Sequence, residues 1–257
     1  MVKRDLSESG FSIILPSESS FDAELMKLGL NQSAEARELK PFSVILKNSS
    51  TRSIVAFALR WTAVDATGNV TTHDRSYIQP SGLLDGGRAR RERTEIEHQI
   101  RPGTSRFITI EGMARSSGEL HALASGFSSS PPQFAVTSVL LDAAIFDDGE
   151  AIGPDQLGMV DRFKAHFTAE QDLMAEVDSR LARGEIMRDI LVDIRSKLPP
   201  GSADIPITPL AIYEDTRHQI LSELETTERN FGDDVAKRVV LFRKYDKRPD
   251  IHKKPEN

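Results

Sequence analysis

Across residues 41–69 the apolar and polar positions follow the rhythm of extended chain. Val55, Phe57, Leu59 and Trp61 recur every second residue, which sets four large side chains on one face of a strand and gives a helix no comparable stripe. A strand over 42–46 precedes it across the polar turn Asn48-Ser49-Ser50. Asp65-Ala66-Thr67-Gly68-Asn69 then turns it into a return strand over 70–78, since Gly68 and Asn69 accept positive φ at little steric cost. Further strands are expected at 11–15 (ended by Pro16), 96–100, 107–110 (after Arg101-Pro102-Gly103) and 136–146, the last closed by Asp147-Asp148-Gly149. Phe21, Leu25 and Leu28 are spaced for a short helix or an irregular edge segment. About seven short strands with turn signals between them predict an antiparallel β-sandwich; a βαβ sheet would need interleaved helices.

Beyond residue 155 the period changes. Phe163, Phe167, Met174, Val177 and Leu181 fall at helical spacing, with Gly184 as a stop. Ile186, Ile190, Ile194 and Leu198 predict a second helix, ended by Pro199-Pro200-Gly201. After a connector with Pro206 and Pro209, a third carries Leu210, Tyr213, Ile220, Leu221 and Leu224 on one side. Phe231, Val235, Val239 and Phe242 make a fourth, introduced by Gly232-Asp233. The expectation is an α+β chain: a sandwich domain over 1–155, a helical region of about four helices over 156–245, and a charged flexible tail over 246–257. Two polar stretches interrupt the sandwich, 81–93 with Arg88, Arg90, Arg91 and Arg93, and 115–133, rich in serine and ending in Pro131-Pro132. Each reads as a recognition loop or, more plainly, as a disordered insertion.

Charge narrows the partners. The net charge is −6, with 16 Lys and Arg against 20 Asp and Glu in residues 1–155 and 17 against 19 in the rest. Neither half offers the basic face that phosphate neutralisation requires, so nucleic acid is not an expected partner. Cysteine is absent, which excludes disulfides, thiolate zinc sites and cysteine nucleophiles. No apolar run approaches the roughly 20 residues of a membrane span. Residues 1–20 carry Lys3 and Arg4 but also Asp5 and Glu8, and no apolar core of a secretory signal. The compartment stays open: cytoplasmic if the chain begins here, periplasmic or secreted if a leader has been removed.

A tryptophan late in a strand, after a polar turn and before an Asp-x-x-Gly turn, resembles the immunoglobulin/fibronectin-like sandwich superfamily. Arg101-Pro102-Gly103 before Phe107-Ile108-Thr109-Ile110 is similar to an inter-strand turn of many such domains. The likeness spans about residues 40–150 and lacks the paired cysteines of antibody domains. It implies a fold used for adhesion, binding or spacing, and it carries no catalytic residue across.

Chemistry-bearing motifs are sparse. Gly-x-Ser-x-Gly, Ser-x-x-Lys and a P-loop are missing, and the serine-rich run 125–130 reads as a tether. The six histidines are scattered; His166 and Glu170 stand four apart on one helix face, as a metal pair or a solvated contact, while His98 between Ile96 and Ile100 reads as structural. Asp147, Asp148, Glu150 and Asp155 form the best candidate for a divalent ion, calcium by preference, because four carboxylates surround two glycines on a turning backbone. The plainer reading is a strand-ending turn, with Asp155 capping the first long helix. The function expected is non-enzymatic binding or scaffolding, through protein–protein contact or self-association of the helical half or the long loops. The alternatives are a carbohydrate-active or other hydrolase using carboxylates near 147–155, and a calcium-stabilised adhesion module.

Overall fold

The computed structural model describes residues 1–78, 99–110, 113–114, 121, 134–199, 208–245 and 251–253. The loop stretch 81–93, the strand residues 96–98 and all of 115–133 but His121 lie outside them. The fold is α+β. The chain divides into two compact units, Met1–Gln79 with Thr94–Met159 and Asp250–Asn257, and Pro80–Arg93 with Val160–Pro249.

The first unit holds two sheets. Strands β1 (Val2–Arg4), β4 (Ile54–Asp65), β5 (Val70–Ile78), β8 (Phe134–Phe146), β9 (Glu150–Ile152) and β10 (His252–Lys253) form one, in the order β10-β9-β8-β4-β5, with β1 laid parallel on β8. Strands β2 (Phe11–Ile14), β3 (Ser43–Asn48), β6 (Ser105–Thr109) and β7 (Met113–Ala114) form the other, antiparallel throughout. Both sheets turn side chains into one hydrophobic cluster, which includes Phe11, Phe107, Phe57, Trp61 and Leu141. Phe11 of β2 and Phe57 of β4 meet edge to face at 5.9 Å. Trp61 is fully buried, and its indole N–H has no hydrogen-bond acceptor among the described residues.

The stripe on β4 differs from the expected one at its start. Ile54, Phe57, Leu59, Trp61 and Ala63 belong to the cluster, whereas Val55 is buried outside it. A register shift between Ile54 and Ala56 against β8 is the reason: the extra residue of a bulge exchanges the faces of the strand. The polar turn after β3 is anchored by Asn48, which is fully buried; its amide donates to the Arg52 and Ile100 carbonyls at 2.7 and 2.8 Å, and its oxygen accepts from the Ser50 N–H and hydroxyl.

Two short helices, α1 (Ser20–Lys27) and α2 (Ala34–Leu39), lie between β2 and β3. Ser33 caps α2 by accepting from the Ala36 N–H. Glu24 of α1 is 5% exposed and takes three partners: Lys27 and Lys47 at 2.7 and 2.9 Å and the Ser105 hydroxyl at 3.0 Å. Burial alone would raise its pKa, but these hydrogen bonds outweigh it and hold the carboxyl at about 2. Within the stretch expected as a flexible tail, Ile251 is buried and β10 pairs in parallel with β9.

The second unit is helical: α3 (Met159–Ala182), α4 (Met187–Lys197), α5 (Pro209–Phe231) and α6 (Asp233–Tyr245). The four helices share a core that includes Met174, Val177, Ile190, Ile194, Ile220, Leu224 and Val240. In the fourth stripe Val239 packs against this core as expected, but Phe231 and Val235 are exposed while Ala236 and Val240 take the buried places; the Phe242 side chain lies outside the described residues. No helix among the described residues is long and apolar enough to cross a membrane.

Candidate functional site

Of the four carboxylates expected to bind calcium, Asp148 and Glu150 share one cationic partner, Arg52. Asp148 accepts from Arg52 Nη1 at 2.7 Å and Glu150 from Arg52 Nη2 at 3.3 Å, and the same guanidinium lies 3.8 Å from the Phe146 ring centre. Burial alone would raise the Asp148 carboxyl, but the Arg52 hydrogen bond lowers it below the usual range. Asp147 accepts from the Ser53 N–H at 3.3 Å. Asp155, at φ 53°, binds through its backbone N–H to the Asp142 carbonyl. Among the described residues no group of three or more His, Asp and Glu is arranged to hold an ion.

A carboxylate the sequence reading passed over does more to shape this loop. Asp142 sits fully buried within β8, and its two oxygens accept from the Gln156 and Leu157 N–H groups at 3.0 and 2.8 Å. It thereby fixes the chain entering α3. Gly153 lies against the same residue at φ 98°, where an added Cβ would stand 2.4 Å from the Asp142 carbonyl oxygen. Strand position hid Asp142; an acid flanked by Leu141 and Ala143 in an otherwise apolar run was the available signal.

His166 and Glu170 do share a face of α3, turned toward the other helices. His166 Nδ1 lies 2.9 Å from the Thr216 hydroxyl of α5, and fully buried Glu170 lies 3.5 Å from Arg243 of α6, which also donates to Glu223.

The helical unit also presents two open pockets along α3, α4 and α5 that share Glu176 and Lys197, so that together they make a groove. One end, of about 380 Å³, is polar: Arg180 and Arg183 from the end of α3, Glu185 from the loop, Asp193 and Lys197 from α4. Gly184, at φ 84°, stops α3 and brings Glu185 back onto it. Arg180 binds Glu185 and Asp193 at 2.6 and 2.5 Å, and these two carboxylates raise its pKa. Lys197, four residues after Asp193, pairs with it at 2.6 Å and, together with Arg180, lowers the Asp193 pKa. The adjoining end, of about 240 Å³, is lined by Leu198, Pro199, Leu210 and Tyr213, with Arg217 and Glu176 beside them. Leu210, expected on the buried side of α5 with Ile220, Leu221 and Leu224, is instead 65% exposed.

Comparison with protein-family models, curated proteins and solved structures returns no match. The site stands on its own geometry.

Proposed function

We propose that the chain is a non-enzymatic binding or scaffold protein that docks a segment of a partner protein in the groove of its helical unit. The order of surfaces along the groove carries this reading. Apolar surface at Leu210 and Pro199 gives way to Lys197 and Arg183, whose side chains are 67% and 60% exposed. The carboxylates they pair with, Asp193 and Glu185, are only 36% and 34% exposed. The outermost charge is therefore cationic, and a segment with an apolar anchor followed by carboxylates complements it.

The test starts from peptides selected by display on the full chain. Polarisation titrations then compare an acidic–apolar peptide with its Lys-for-Glu counterpart. The acidic peptide should bind at least about tenfold tighter, a difference of ~1.4 kcal/mol, and Leu210→Asp and Lys197→Glu should each remove the preference. Selected peptides indifferent to charge and to both substitutions would reject the groove as the docking surface.

The same reading takes the first unit as an immunoglobulin-like sandwich. In support, the orders β9-β8-β4-β5 and β2-β3-β6 correspond to the G-F-C-C′ and A-B-E arrangements of such domains, with Trp61 on the strand equivalent to C. The parallel strands β1 and β10 are additions to that pattern.

A further inference from the structure

Residues 2–6 lie along two strand edges at once. In the six-stranded sheet, Val2, Lys3 and Arg4 pair in parallel with Ser138, Val139 and Leu140 of β8. In the four-stranded sheet, the Lys3 ammonium donates to the Ile13 carbonyl at 2.5 Å, and an Asp5 oxygen accepts from the Ile13 N–H at 3.3 Å. Leu6 and Phe11 exchange backbone bonds of 3.1 and 3.3 Å. Lysine and aspartate thus occupy, on edge strand β2, the groups that an incoming strand would pair with. The cover is shallow. It amounts to three parallel residues, Val2 is 70% exposed, and Lys3 is shared between Ile13, Glu18 at 2.8 Å and Asp5 at 3.7 Å.

We propose that this double edge is a strand-acceptor site between copies of the chain, in which residues 2–6 of a second copy replace the molecule's own and give a strand-exchanged dimer. The occupant follows from fit: the acceptor already holds this segment, with its register and both charged contacts in place, so an identical segment remakes those bonds, and only the turn's own bonds, Ser9 N–H to the Leu6 carbonyl and Gly10 N–H to the Ser7 carbonyl, are given up. What separates the two states is the turn over 7–10. In the closed form Gly10 sits at φ 78°, and an added Cβ would meet the Ser50 backbone nitrogen at 2.9 Å. The positive φ belongs to the closed turn, and an extended connection to a second copy lifts that requirement, so Gly10→Ala penalises the closed form more than the exchanged one.

Because the chain has no cysteine, single thiols report the exchange directly. Val2→Cys and Ser138→Cys variants, direct register partners, are mixed, refolded together at high concentration and oxidised. A disulfide joining the two different variants requires β1 of one copy on β8 of the other. The expected result is a mixed dimer several-fold above the yield from Val2→Cys with Thr137→Cys, one residue out of register. Gly10→Ala should raise the dimer fraction of the otherwise unmodified chain, read by light scattering, about tenfold or more. Mixed disulfide no greater than the Thr137→Cys control, or a Gly10→Ala chain as monomeric as its parent, overturns the proposal.

Discussion

Replacing Glu24 by Gln tests how strongly one buried carboxylate holds helix α1 to the sheet beneath it. Glu24 gathers Lys27 of its own helix, Lys47 of β3 and Ser105 of β6, and its pKa falls from 4.5 to about 2. A carboxylate whose folded pKa is depressed contributes stability that is fully present above its unfolded pKa and is lost as the pH falls through the folded one. The window is therefore set between about 4.5 and about 2. At ~1.4 kcal/mol per pKa unit, the shift corresponds to an upper figure of ~3 kcal/mol at neutral pH. The exposure of Lys27, at 66%, reduces this, so ~2 kcal/mol is the working expectation. Glu24→Gln keeps the shape but not the charge. Urea unfolding, followed by Trp61 fluorescence, should show the substituted chain less stable by that amount at pH 7. The gap should shrink to ~1 kcal/mol near pH 3 and nearly vanish at pH 2, because the parent carboxylate is then becoming protonated too. A gap of the same size at pH 7 and pH 3 would refute the assignment of the stability to the charged form.

Other substitutions probe separate links. Asn48→Ala leaves the Arg52 and Ile100 carbonyls without their buried donor and should cost ~2–3 kcal/mol by denaturant titration; a loss below about 0.5 kcal/mol would mean that water replaces the amide there. Gly153→Ala combines a positive φ with the close approach to Asp142 and should lower stability by about 2 kcal/mol or more, or prevent folding. Millimolar calcium or EDTA should leave the melting midpoint unchanged, since Arg52 holds Asp148 and Glu150; a calcium-dependent rise of several degrees would restore 147–155 as an ion site.

What the sequence made legible was long and strongly periodic. The β3, β4 and β5 succession follows the turn signals and the alternation of Phe57, Leu59 and Trp61, and four helices follow stripes at Met174, Ile190, Leu221 and Val239. Short elements escaped it: β1, β9 and β10 have two or three residues each, too few for any period, and take their form from pairing with β8 and with each other. Phase errors have local causes, a bulge beside Val55 and, in α6, small Ala236 facing the core where Val235 is the larger apolar residue. The groove was unreadable for another reason. Arg180, Glu185, Asp193 and Lys197 look in sequence like ordinary solvated charges, and only the reversal at Gly184 gathers them.

Trp61 is the sole tryptophan, and it belongs to the β-rich unit, whereas most of the long helix resides in the other. Nature has thus supplied two spectroscopic channels that do not overlap: indole emission follows the sheets, while ellipticity at the helical minimum follows mainly the bundle. Heating curves recorded through both will superimpose if the chain melts as one cooperative body, and will part if its halves come undone in sequence, without any label being attached.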